Sequence, residues 1–81
     1  MNIQYSKAAV KAITAMESKA KHRIRTAIEG IPAGDIKPLS GKSGLFRLRV
    51  GNKRIIFSCP NDETITIVRI GNRGDIYKGG L

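Results

Sequence analysis

Gly51-Asn52 lies between two strand-like runs, and it restricts the folding of this chain more than any other feature. Upstream, Phe46, Leu48 and Val50 alternate with Arg47 and Arg49, and downstream Lys53 to Cys59 reads as a second strand. A two-residue connection with glycine at its first central position suits a type II′ hairpin turn, where that position takes a positive φ. The turn fixes a register: Val50 opposite Lys53, Arg49 opposite Arg54, Leu48 opposite Ile55, Arg47 opposite Ile56 and Phe46 opposite Phe57. Side chains alternate across a strand. Phe46, Leu48, Val50, Ile55 and Phe57 therefore form a core face, and Arg47, Arg49, Arg54 and Ile56 share the other.

The rest of the chain surrounds this hairpin. Ile3 and Tyr5 alternate with Asn2 and Gln4 as a short first strand, and Ser6 is placed to cap a helix through its hydroxyl. Val10, Ile13 and Met16 recur at helical spacing over Lys7 to Glu17, and Ala20, Ile24, Ala27 and Ile28 do so over Lys19 to Glu29. The stripe breaks between residues 16 and 20, which predicts two helices in a hairpin, with Ser18 capping the second and one irregular long helix as the alternative. Gly30 followed by Pro32 ends the second helix, and the glycines and prolines up to Gly44 predict a connecting loop. Pro60 to Glu63 is a turn, and Thr64 to Ile70 is a last long strand. The expected fold is α+β in the order β-α-α-β-β-β, one domain over residues 1–81, with a helical hairpin on one face of a largely antiparallel sheet.

Arginines that face each other across a ladder repel, and neither sheds its proton. If the last turn is centred on Asn61-Asp62 and the ladder has no bulge, Arg69 joins Arg49 and Arg54 in a row of three. A solvated basic face is the bland reading. Against it, Asp62 and Glu63 fall at the far end of the sheet and no strand residue on the arginine face is acidic. A phosphodiester would satisfy such a face. Ile56, Ile65 and Ile67 share it by the same count, so it also offers an apolar surface to a protein partner. Arg73 continues the parity of Arg69, and Tyr77 follows four residues later, so that arginines beside the phenol favour its phenolate.

Charge supports this direction. Fifteen Lys and Arg against six Asp and Glu give +9 over 81 residues, a polyanion-binding balance. One cysteine, Cys59, excludes an internal disulfide, and no Cys, His or carboxylate cluster suggests a metal, so no cofactor is expected. The N-terminus does not read as a signal peptide and no run approaches the length of a membrane span, which predicts a cytoplasmic protein with no membrane partner. Gly41-Lys42-Ser43 resembles a phosphate loop, but that motif needs glycine where Ile36 stands; Lys42 remains a candidate single phosphate contact. His22 lies among Lys19, Lys21, Arg23 and Arg25, a cluster that is either a solvated helix face or a second nucleic-acid contact.

Leu39-Ser40-Gly41, then Ser43 to Val50, Arg54 to Phe57, and Ile67 to Lys78 together resemble the RelE/ParE superfamily of toxins, over essentially the whole chain. The resemblance implies the RelE fold and, for the RelE branch, a ribosome-dependent, metal-independent endoribonuclease that cuts mRNA in the decoding site. It further implies a RelB-like antitoxin with an acidic and apolar segment. The catalytic positions it implies are Arg54, Arg73 and Tyr77, with Arg47 and Arg49 as its basic pair; Arg69, Lys42, Lys53 and Lys78 join that pair as candidate RNA contacts of this chain. Some relatives carry lysine where Arg47 and Arg49 stand, so a base role there is lost in this chain. The ParE branch, which poisons DNA gyrase without a nuclease site, is the competing reading. A basic nucleic-acid-binding module without toxicity is a third.

Overall fold

The computed structural model describes residues 2–39, 41 and 44–72. The expectations for Lys42, Arg73, Tyr77 and Lys78 lie outside these residues. The chain forms β1 (Asn2–Tyr5), α1 (Lys7–Thr14), α2 (Ser18–Glu29), β2 (Asp35–Pro38), β3 (Leu45–Val50), β4 (Lys53–Asn61) and β5 (Thr64–Asn72). One mixed sheet has the order β1-β5-β4-β3-β2, with β1 parallel to β5 and all other neighbours antiparallel. The α+β architecture matches the expectation, with one strand more than the sequence suggests. β2 lies where a loop was expected, its four residues pairing with β3 and ending at Pro38. Proline is tolerated there because β2 is an edge strand.

The hairpin forms in the expected register from Val50↔Lys53 to Phe46↔Phe57. Gly51 has φ +59° and Asn52 does not take a positive φ, in keeping with a type II′ turn. Phe46 and Phe57 stack on the core side, with ring centroids 5.6 Å apart. Ala9, Ile24 and Ile28 from the helices meet Leu48, Ile55, Phe57, Ile65, Ile67 and Ile70 from the sheet.

Two turns of the sequence reading are corrected. Glu17, extended at φ −69° and ψ 162°, is the N-cap residue of α2, and its carbonyl accepts from Lys21 N at 2.9 Å. Ser18 is instead the first helical residue, so it does not cap. The last turn sits on Asp62-Glu63, one residue later than the row of three arginines requires. Asn61 Oδ1 accepts from Glu63 N at 2.8 Å, an Asx turn that fixes this position.

The later turn pairs Arg54 with Gly71 and Ile56 with Arg69. Phe57 then pairs with Ile67, which leaves Val68 as an extra residue in β5. That bulge reverses the alternation. Ile65 and Ile67 therefore turn into the helix-side core, at 1% and 0% exposure, rather than onto the arginine face. Ile56 does lie opposite Arg47 but is also fully buried. The exposed isoleucines expected to receive a partner are absent, and Val10 on α1 is the exposed large hydrophobic among the described residues.

Ser6 ties this bulge to α1. Its hydroxyl accepts from Ala9 N at 3.0 Å, as a helix cap, and donates to Val68 O at 2.6 Å. Its backbone N–H donates to Ile67 O at 2.9 Å. Ser6→Ala removes both hydroxyl bonds and should cost roughly 1–2 kcal/mol in denaturant unfolding. Ser6→Thr should restore most of that. Ser6→Asp keeps a cap acceptor but cannot donate to Val68, so it should fall between them; stability equal to wild type would mean that the bond to the bulge contributes nothing.

Candidate nucleic-acid interface

On the sheet face away from the helices, two ladder rows carry the charge. One runs Asp35, Arg49, Arg54, Gly71, and the other Lys37, Arg47, Ile56, Arg69. Arg47, Arg49, Arg54 and Arg69 thus share one face, as expected, but Arg69 lies beside Ile56 and not opposite Arg54. The cause is the later turn, not a change in the hairpin.

β2 brings two side chains that a loop would have left unplaced, Lys37 and Asp35. Asp35 Oδ1 lies 3.7 Å from Arg47 Nη2, and Oδ2 lies 3.9 Å from Arg49 Nε. The arginine face therefore holds a carboxylate, contrary to the sequence reading. Both contacts are long and Asp35 is about half exposed. Such pairs contribute about 0–1 kcal/mol, and the face stays net positive. The signal for this strand was weak: Ile36 alone alternates inward between Asp35 and Lys37.

Arg54 is the buried cation of this face, at 7% exposure. Its Nη1 donates to Lys53 O at 3.1 Å and Gly51 O at 3.3 Å, clasping the hairpin turn. Nη1 thus fixes the guanidinium at the turn, on the same face as Arg47 and Arg49. A guanidinium held in place by its own turn is a preorganised donor for a phosphate oxygen. Arg49, directly opposite, is the exposed partner, its side chain 56% accessible.

Lys53 behaves differently. It pairs with Val50, a core-side residue, and its Nζ donates to Asn72 Oδ1 at 2.8 Å. It thus sits at the helix side of the sheet's end, not beside Arg47 and Arg49. Tyr5 is the tyrosine among the described residues. Burial raises its pKa, with Arg25 acting against that and Glu29 adding to it. This shift disfavours a base, and Tyr5 points to the core side, so it is no substitute for Tyr77.

A helical pair packed on one side of a five-stranded mixed sheet is the RelE-like α+β fold. Solved structures share it. The toxin–antitoxin complex RelB–RelE from Methanococcus jannaschii matches with a TM-score of 0.72 and 28% identity, over 88% of this chain and 91% of that one. The RelE–RelB complex from Pyrococcus horikoshii matches with a TM-score of 0.70 and 28% identity, over 91% and 96%. The RelBE2 complex from Mycobacterium tuberculosis has a TM-score of 0.75 at 22% identity, over 91% and 92%, and shows the fold alone. No curated protein matches in sequence. The family model described as ParE toxin of type II toxin-antitoxin system, parDE, matches residues 3–77. The chain belongs to that family, within the RelE/ParE superfamily, and is a toxin of a type II toxin–antitoxin system.

Proposed function

We propose that this toxin is a ribosome-dependent endoribonuclease that cuts mRNA without a metal. The observation that carries the reading is Arg54, buried, clasped to the turn and directly opposite Arg49 on a face that Arg47 and Arg69 share. In the reaction, the 2′-hydroxyl of a codon nucleotide attacks its own adjacent phosphorus. The P–O5′ bond breaks, leaving a 2′,3′-cyclic phosphate and a 5′-hydroxyl. Arg54 and Arg73 stabilise charge on the phosphoryl oxygens, and Tyr77 exchanges the proton as general base or acid. Arg47, Arg49 and Arg69 hold the backbone, with Lys42 and Lys78 as further contacts.

The ribosome supplies what this site lacks. Among the described residues, the carboxylate on the arginine face, Asp35, is two strands from Arg54, roughly 10 Å away at ordinary strand spacing. It is positioned on Arg47 and Arg49 rather than at the proposed reacting phosphate. Codon-end mapping should therefore find cleavage of ribosome-bound mRNA and little cleavage of naked RNA; equal rates on both would sink the proposal. The toxin acts in the cytoplasm and is silenced by an antitoxin of RelB type; the similar archaeal structures are RelB–RelE complexes. Among the described residues, no helix is long and apolar enough to cross a membrane.

The family match to ParE favours a second reading, a DNA gyrase inhibitor without nuclease activity. A supercoiling assay discriminates. Inhibition of gyrase with no mRNA ends appearing would establish the second reading over the first.

A further inference from the structure

The basic residues of α2 divide between two flanks. Arg25, with Lys21 and His22, lies toward the groove that Glu29 also lines. Lys19 and Arg23, four residues apart, share the other flank. Arg23 reaches the β3–β4 turn: a Cβ on Gly51 would stand 3.1 Å from Arg23 Nη1 and 3.4 Å from its Cζ. Arg54 holds the carbonyl of the same glycine. Lys53 sits at the same end of the sheet. The two-residue turn thus has Arg23 and Lys53 beside it on the helix side, and Arg54 and Arg49 on the other. Among the described residues Lys19, Arg23, Lys53 and Arg54 form no ion pair, and Arg49 has only its long contact with Asp35.

We infer that the end of the sheet around Gly51-Asn52, with Lys19 and Arg23 of α2, binds the phosphate backbone of an RNA duplex, separately from the strand held on the arginine face. This rests on the reading of that face as an RNA contact. Charge selects a polyanion, since gathered cations need one. Ring placement selects a duplex: among the described residues Phe46 and Phe57 are in or against the core and Tyr5 is on β1, so none of them offers a ring to a splayed base beside this turn. Single-stranded recognition depends on such stacking, whereas double-stranded RNA is recognised by shape and backbone.

The test uses the full chain, an RNA duplex of ~16 base pairs and a single strand of equal length, with binding followed by anisotropy across a salt series. Lys19→Gln with Arg23→Gln should weaken duplex binding about tenfold or more at ~0.1 M salt and lower the log–log salt slope by about 2, one phosphate contact per cation. Single-strand binding should stay within about twofold. Arg47→Gln with Arg49→Gln should show the reverse preference. Lys19→Gln alone leaves the Arg23–Gly51 packing intact and should give about half the slope change, which separates charge from folding. If the α2 pair leaves duplex binding unchanged, or weakens both ligands equally while the Arg47 and Arg49 variant still weakens single strands, this inference fails and the arginine-face reading stands. Binding of neither ligand overturns both. Displacement of the duplex by polyglutamate of matched charge at equal concentration assigns the patch to an acidic protein and overturns the duplex.

Discussion

Under the proposed mechanism, Tyr77→Phe should lower the single-turnover rate of mRNA cleavage on the ribosome by roughly 10²- to 10⁴-fold, the usual contribution of a positioned acid or base. Ribosome affinity stays within about twofold, because the ring is retained and only the exchangeable proton is lost. Arg73→Ala should cost about 10²- to 10³-fold in the same step, as removal of one electrostatic stabiliser does. Arg47→Ala behaves otherwise: it weakens binding and lowers the salt slope by about 1, with a smaller effect on the bound complex. Rapid-quench kinetics with saturating toxin separate these effects. A Tyr77→Phe protein that cleaves at the wild-type rate has no acid or base at that position, and the mechanism would then need another group. Tyr5 is not that group, since it lies on the core side and burial raises its pKa.

The second large effect is on stability. Ile55 is fully buried at the centre of the core, on the strand that pairs with both β3 and β5. Ile55→Ala should destabilise by about 2–5 kcal/mol through lost burial and the cavity left behind. A domain of this size shifts by about 4–8 °C per kcal/mol, so the melting temperature should fall by roughly 8–40 °C. Val10, half exposed on α1, provides the contrast. Val10→Ala should stay within about 0.5 kcal/mol, as surface substitutions do. A loss at Val10 comparable to that at Ile55 would mean that Val10 is covered in solution, and sedimentation would then reveal the covering copy.

The central hairpin was legible because its information is local. Gly51-Asn52 and the alternation on either side specify turn, register and face within twelve residues, and every pair from Phe46↔Phe57 to Val50↔Lys53 forms as read. Ser6 was legible for the same reason, since a cap needs only its own next turn. What failed was non-local. Four residues around Ile36 become a strand because the edge of β3 is there to pair with, and this brings Asp35 to the arginine face. The side of the sheet that Ile65 and Ile67 take depends on the Asn61 turn and on a bulge at Val68, to which Ser6 donates from sixty-two residues away.

The amino-acid sequence by itself determined the α+β class, the hairpin, the sharing of one face by Arg47, Arg49 and Arg54, and the resemblance to the toxin superfamily. Only the tertiary structure decided that Arg54 is buried and clasped to the hairpin turn, that Arg69 stands beside Ile56, and that Arg23 packs on Gly51. The reason is one of range. Alternation and turn chemistry act between neighbours in the chain, whereas bulges, edge pairing and helix-to-turn packing depend on which distant surfaces meet.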